Sequence, residues 1–408
     1  MTAVADSVRG SIVLLGMLTK MPVAGVAWQV LHYLEGFRRL GYDVWYVEDH
    51  GRTPSTFVSH EGDDGCSAAA SFLATLFGRF GFGDRWGLHA LHSDDSWYGI
   101  SGSRARWLYH EAASIINLHG GTMPLPEHAA TGRLVFLETD PVQLQIELYE
   151  GVQAAIDFLA PHAAFFTFAE NYGQPDCELP VFETFAFRGT RQPVVLDFWP
   201  PGTNGAGAAF TTVGNWRQPW RRIRFRGEVY HWSKHYEFLK FLELPSRTPQ
   251  PFELALSGSS FEAQDRRLLE EKGWRVRDAL DFSSDPDRYR AYITSSFGEF
   301  TVAKDQNVRL RTGWFSDRSA TYLAAGRPVV TQETGFGRAL PVGDGLLSFS
   351  TLDEAVGAVE RVRTDYEGHR RAARCVAEEC FSHEVVLGTL LSELGLSRPP
   401  HAFRGSRP

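Results

Sequence analysis

The sequence predicts an α/β protein of two successive domains, each a parallel sheet wound between helices. Three observations carry this expectation. Short, continuous apolar runs recur through the 408 residues, as in strands buried on both faces. Between them lie segments with apolar residues at spacings of three and four, the signature of amphipathic helices. A stretch rich in Pro and Gly, 199–207, parts the series into two halves, and the length suits two domains of ordinary size.

Residues 12–18 (Ile-Val-Leu-Leu-Gly-Met-Leu) read as a first buried strand. Loop 19–25 leads into a helix whose Val26, Val30, Leu34 and Phe37 share one face. Gly41 suits the turn that ends it, and 44–47 is a second strand, completing a βαβ unit with a right-handed crossover. Further strands are expected at 114–118, 133–137, 163–168 and 193–196. Beyond the linker, strands are expected at 209–213, 252–256, 274–276, 299–302 and 328–331. Helices are expected at 232–244, 261–272, 286–294 and 316–325. Thr351-Leu352-Asp353-Glu354 is a capping box that opens another helix, and one long helical segment runs from 366 to 394. The expected organisation is a first domain over 1–200, a second over 207–370, C-terminal helices over 371–396 and a frayed tail over 397–408.

Apolar residues at 43% and charged residues at 22% exclude wholesale disorder, and a net charge of −8 argues against a general nucleic-acid binder. Cys66, Cys177, Cys375 and Cys380 are too few and scattered for a disulfide framework or a zinc cage, which points to a reducing cytoplasm. The first apolar stretch is interrupted by Lys20, too short for a signal peptide or a membrane span. There is no GxGxxG after the first strand, no GxxxxGK followed by Ser or Thr, no HExxH and no GxSxG. This argues against the common dehydrogenases, nucleotide hydrolases, zinc proteases and serine hydrolases.

In open parallel sheets, ligands bind at the carboxyl ends of strands. His119 follows strand 114–118 and precedes Gly120-Gly121, glycines that allow close backbone approach to a ligand. A histidine there is suited to act as a general base. Asp140, with Glu138, ends the next strand, and Glu170, with Asn171, the one after. Three consecutive strands thus finish in titratable residues expected to converge on one cleft. In the second half, Gly214-Asn215-Trp216 ends the first strand. Lys234 and Lys304 are two of only five lysines, placed to neutralise a diphosphate together with Arg318. The run Arg217, Arg221, Arg222, Arg224, Arg226 reads as a solvated ribbon. Ser316-Asp317-Arg318-Ser319 opens a helix whose free backbone N–H groups suit a diphosphate.

Segment 311–335, above all Leu323-Ala324-Ala325-Gly326-Arg327-Pro328-Val329-Val330, resembles the donor-binding signature of GT-B glycosyltransferases of the family 1/4 type. The resemblance implies two facing Rossmann-like domains with parallel sheets, and a C-terminal helix crossing back to the N-terminal domain. It implies a hexosyl- or related transferase that moves a sugar from a nucleoside-diphosphate donor to a small-molecule acceptor. The acceptor belongs in the first domain and the donor in the second. The donor is a co-substrate, and no other cofactor is expected. By the same resemblance, Gly214, Asn215 and Trp216 form a glycine loop near sugar and phosphate, and His119 touches the donor sugar. The positions at which many retaining members carry glutamates are Gly313 and Thr321 here, so Glu333, within Glu333-Thr334-Gly335, is expected to reach the sugar hydroxyls instead.

A helix N-terminus with basic side chains stands in for a metal, so none is expected, nor a nucleic-acid partner or membrane span. Arg318→Ala is expected to weaken donor binding without unfolding the chain. Trp86, Trp97, Tyr98 and Trp107 are candidates for core or for a pocket that takes an aromatic or natural-product acceptor. A nucleotide-sugar 2-epimerase and a non-catalytic two-domain binding protein are the alternative readings. Nucleobase, sugar, acceptor, stereochemical course and oligomeric state stay open.

Overall fold

The structure, a computed structural model, describes residues 9–201, 208–218, 221–257 and 261–396. Most of the expected linker (202–207) and the expected tail (397–408) lie outside the described residues. The first sheet contains β1 (Ser11–Leu15), β2 (Asp43–Glu48), β3 (Trp86–His89), β4 (Trp97–Gly99), β5 (Ser114–Leu118), β6 (Leu134–Glu138), β7 (Ala164–Thr167) and β8 (Phe187–Gly189). Their order is β4-β3-β2-β1-β5-β6-β7-β8, parallel throughout except for β4 against β3. Val13 of β1 sits between Trp45 and Ile115, and four of its five residues are buried, as a central strand of a parallel sheet requires.

The second sheet contains β9 (Phe210–Asn215), β12 (Phe252–Ser257), β13 (Arg275–Asp278), β14 (Gly298–Thr301), β15 (Val329–Gln332) and β16 (Leu346–Phe349), ordered β13-β12-β9-β14-β15-β16. All its pairings are parallel. Both sheets therefore reverse their winding once, between β1 and β5 and between β9 and β14. Such a reversal leaves a crevice at the strand ends. This is the two-domain GT-B architecture.

Helix Ala24–Arg39 is buried along most of its length, with Arg38 and Arg39 in its last turn, where they complement the helix dipole. At Gly36 a Cβ would lie 2.6 Å from Leu387, so this glycine permits helix His383–Glu393 to cross it closely. The last helix thus packs on the first domain. The Trp28 indole donates to the Pro286 carbonyl (2.9 Å), and one apolar cluster runs from β1 through Trp28 and Trp199 into Tyr289, Tyr322 and Phe381, across both domains.

Several local expectations change. Residues 193–196 do not join the sheet. Val194 pairs with the break between the last two helices, its N–H donating to the Phe381 carbonyl (2.7 Å) and its carbonyl accepting from His383 (3.0 Å). The run is apolar because it is buried there, a context that periodicity does not distinguish from a strand. The segment 366–394 is two helices, Tyr366–Cys380 and His383–Glu393, the second capped by Ser382. Helix 232–244 is reduced to His235–Lys240 and Leu244–Arg247, preceded by an antiparallel hairpin, β10 (Arg222–Phe225) and β11 (Glu228–His231). The hairpin leaves Arg222, Arg224 and Arg226 exposed. Its Phe225 and Tyr230 bury against Val142, Ile146, Ala169 and Leu179, so it reaches across to the first domain. Among the described residues, no helix is long and apolar enough to cross a membrane.

Candidate functional site

The carboxyl ends of β9 and β14, the start of helix Asp317–Ala324 and the loop after β1 enclose a cavity of about 280 Å3. Seven of the expected site residues line it: Gly214, Asn215, Trp216, Lys234, Lys304, Asp317 and Arg318. The first domain contributes Met21. Ser316, the N-cap of an eight-residue helix, makes no side-chain cap bond, and the Asp317 carboxylate in the first turn faces the N–H groups of Arg318 and of its own residue at the positive end of the helix.

The three cations of this cavity differ in their pairing. Arg318 is spent on the fold. The ladder between β9 and β14 pairs only Gly298 with Phe210 and Glu299 with Thr211. Beyond that point the Arg318 guanidinium fills the split, donating to Glu299 Oε1 (2.6 Å), Thr301 Oγ1 (3.0 Å) and the Val213 carbonyl. Glu299 is fully buried, so the pair is structural, and the expectation that Arg318→Ala would spare the fold is corrected. Lys304 donates to Asp140 Oδ1 (2.6 Å) from across the domain boundary, with its ammonium 3.6 Å from the Trp232 ring centroid. The Trp232 indole donates to the other oxygen of Asp140.

Lys234 has no carboxylate partner among the described residues. Its ammonium lies 5.5 Å from the Trp314 ring. Burial first, then Arg318, draws its pKa down to about 7. A half-buried amine without an ion partner is costly to keep charged, and an incoming anion relieves that cost. Asp317 is the acidic member of the lining, and burial raises its pKa.

The other expected residues lie outside the lining. His119 lies behind the cavity. It adopts a left-handed backbone (φ 64°), its Nδ1 is 2.9 Å from Thr139 Oγ1, and its buried Nε2 has no partner among the described residues. Burial holds its pKa down to about 4, against a smaller opposing effect of Asp140. The Thr139 carbonyl in turn accepts from the Trp314 indole (3.0 Å), so His119, Asp140, Lys304 and Trp314 form one contiguous layer across the cleft. The glycines that follow serve the protein rather than a ligand. A Cβ at Gly120 would lie 2.5 Å from Phe136, and one at Gly121 2.5 Å from Met17.

Glu170 does not converge with His119 and Asp140. Its carboxylate pairs with Arg191 (2.6 Å) in a separate cavity of about 350 Å3 beside the C-terminal helices, and burial raises its pKa. The backbone at 170–171 continues to the cleft wall, where Asn171 N–H donates to the Thr312 carbonyl and Gly313 packs against it. The strand end points at the cleft while the side chain turns away to its arginine.

Ser319 is fully buried with its hydroxyl unpaired among the described residues, away from the cavity lining. Trp216, which reaches the lining, otherwise packs its indole against Phe238 and Phe261 in the second-domain core. Glu333 folds back to accept from Gly335 N–H (2.5 Å), and Thr334 Oγ1 donates to the Trp314 carbonyl (2.7 Å). Trp86, Trp97, Tyr98 and Trp107 lie on β3, β4 and helix Gly102–Glu111 at the far edge of the first sheet, and none lines the cavity.

Ser316, expected at the helix opening, also lines the cavity, and Met21, Gln218, Trp232, Ser233 and Trp314 complete the lining without having been expected there. Trp314 follows Gly313 in the turn that leads into helix Asp317–Ala324. Trp232 carried no local signal, because only the fold of the hairpin brings it over Lys304.

No protein-family model matches the chain, and no curated protein sequence does. Similar solved structures exist. A structure of Anabaena HepE in complex with UDP and glucose matches at 11% identity with a TM-score of 0.56, over 95% of this chain and 99% of that one. AviGT4, a glycosyltransferase involved in avilamycin A biosynthesis, matches at 13% identity and a TM-score of 0.52, over 95% and 97%. A structure titled trehalose-6-phosphate from E. coli, bound with UDP-2-fluoro glucose, matches at 11% identity and a TM-score of 0.52, over 95% and 100%. At these identities the likeness establishes the GT-B fold over nearly the whole chain.

Proposed function

We propose that this GT-B protein is a glycosyltransferase that takes a nucleoside-diphosphate sugar into the 280 Å3 cavity and transfers the sugar to a small-molecule acceptor. The single observation that carries the reading is Lys234: a half-buried amine without an ion partner among the described residues, lining the cavity beside the N-terminus of helix Asp317–Ala324 at the switch point of a parallel sheet. The similar structures supply the donor class to try first, since one is titled with UDP-glucose and another with UDP-2-fluoro glucose.

In this reading the diphosphate accepts from Lys234, from the N–H groups of the first turn after Ser316 and from Lys304, for which it competes with Asp140. Charge that develops on the leaving diphosphate is met by preorganised donors in an enclosed site, where each is worth more than in water. Asp317 is suited to accept from a sugar hydroxyl. His119 is neutral near pH 7, because its pKa lies at about 4; it stands outside the lining and acts through Thr139, whose Oγ1 lies 2.9 Å from its Nδ1 and whose carbonyl accepts from the lining indole of Trp314. Domain contacts made by Lys304 with Asp140 and by Trp314 with Thr139 close the cleft against water, which limits hydrolysis of the donor.

The test is UDP release from UDP-glucose, and from a panel of other nucleotide sugars, with and without candidate acceptors. Release that depends on the acceptor supports transfer. Binding without release, or isomerisation of the donor without an acceptor, overturns it in favour of a binding protein or an epimerase.

A further inference from the structure

The loops that follow β2 and β3, outside the cavity, bring a carboxylate, a thiol and an imidazole to one point. Cys66 opens helix Cys66–Arg79, Asp64 precedes it by two residues, and His92 lies in the turn between β3 and β4. One ligand atom from each lies within 4.8 Å of the other two. Cys66 Sγ is 3.7 Å from His92 Nε2. Bonds of about 2.3 Å to sulfur and about 2.0–2.1 Å to nitrogen, at a tetrahedral angle, place the two donors about 3.6 Å apart. The observed spacing is therefore that of two ligands on one ion.

The scaffold around the three is already in place. Asp64 Oδ1 accepts from Cys66 N–H (2.9 Å), and the Asp64 carbonyl lies 3.3 Å from His92 Nε2. Cys66 is fully buried, whereas Asp64 and His92 are half-buried, so an ion has a path in and a water can complete the shell. Asp63 and Asp94 also act on the thiol and add negative potential.

We propose that Asp64, Cys66 and His92 bind one divalent transition-metal ion of the zinc type, with water as fourth ligand. A thiolate with an imidazole selects a borderline-soft ion over magnesium or calcium. On binding, the Cys66 S–H bond breaks, the sulfur–metal bond forms, and the proton leaves to solvent. The ion ties the loop after β2 to the β3–β4 turn. The same post-β2 loop receives Lys20 Nζ, which donates to the Thr53 carbonyl (3.2 Å) and Ser55 Oγ (3.1 Å) from the segment that carries Met21 to the cavity. The site is thus an ordering clamp on the first-domain rim of the cleft, separate from the transfer chemistry.

The full chain, stripped with chelator, is titrated with cobalt(II) and then with zinc. A thiolate-to-cobalt charge-transfer band that saturates at one equivalent and is displaced by zinc is expected. Cys66→Ser should lose the band, His92→Ala should weaken binding by about tenfold or more, and Cys375→Ser, an exposed thiol elsewhere, should keep both. Zinc should also raise the melting temperature of the wild type, as a ligand of the folded state does. Should Cys66→Ser fail to fold, His92→Ala and the wild-type melting shift decide. No band and no shift in the wild type, or an unchanged titration in His92→Ala, overturns the proposal.

Discussion

Lys234→Met keeps an unbranched chain of similar length and removes only the charge. The ammonium is enclosed, its pKa is drawn to about 7, and it has no carboxylate partner among the described residues. A hydrogen bond to a charged group contributes about 1.5–3 kcal/mol, so the variant should bind UDP-glucose about 10- to 150-fold more weakly, at about 1.4 kcal/mol per tenfold. The pH dependence follows from linkage. A bound diphosphate favours the charged amine and raises its pKa. Wild-type affinity is then highest below about pH 7 and falls by up to about tenfold per pH unit above it. The variant should be flat across the same window. Stability of the free protein moves the other way. The folded pKa of about 7 lies below the ordinary value of 10.5, so the unfolded chain binds more protons between the two, and this group's contribution to stability rises with pH there. Without the buried charge, the free variant should melt no lower than wild type at neutral pH. Calorimetric titration with UDP-glucose at about pH 6.5 and about pH 8.5, paired with thermal melts, reads all three effects. Equal affinity of the two proteins at the lower pH, or the same pH slope in both, would refute the placement of Lys234 on the diphosphate.

His119→Ala should lower turnover only through the loosened Thr139–Trp314 contact, by less than the about 10²-fold that a general base supplies, and wild-type turnover should show no acidic limb from this residue above about pH 5, since it charges only near pH 4. A limb at neutral pH that vanishes in the variant would show that its ring is solvated, contrary to the structure. Arg318→Ala should cost about 3–5 kcal/mol of stability by leaving Glu299 buried and unpaired, seen as a lower urea midpoint; an unchanged midpoint would return Arg318 to the pool of free cations. Transfer should survive excess EDTA, because Lys234, Lys304 and the helix N-terminus occupy the place of a metal; complete loss restored by magnesium or manganese would count against that assignment.

Much of this architecture is written locally. Residues 12–15 are an uninterrupted apolar run and become a central strand, and Thr351 with Glu354 is a capping box both in sequence and in structure. The small, polar Ser316–Ser319 turn before an apolar helix marked the helix N-terminus that now lies at the cavity. These signals survive because they depend on neighbours within one turn or one strand. What the tertiary structure alone decided is how the charges are shared. Lys304 meets Asp140 across 164 positions of sequence, Arg318 is absorbed by Glu299 and the split strands, Glu170 turns to Arg191, and Lys234 is left over. The same holds for Trp232, carried over Lys304 by a hairpin that packs on the other domain, and for Asp64, Cys66 and His92, which meet only because β2 and β3 are adjacent. A charge's partner depends on which loops converge, and convergence is set by long-range packing that leaves no local pattern in the chain.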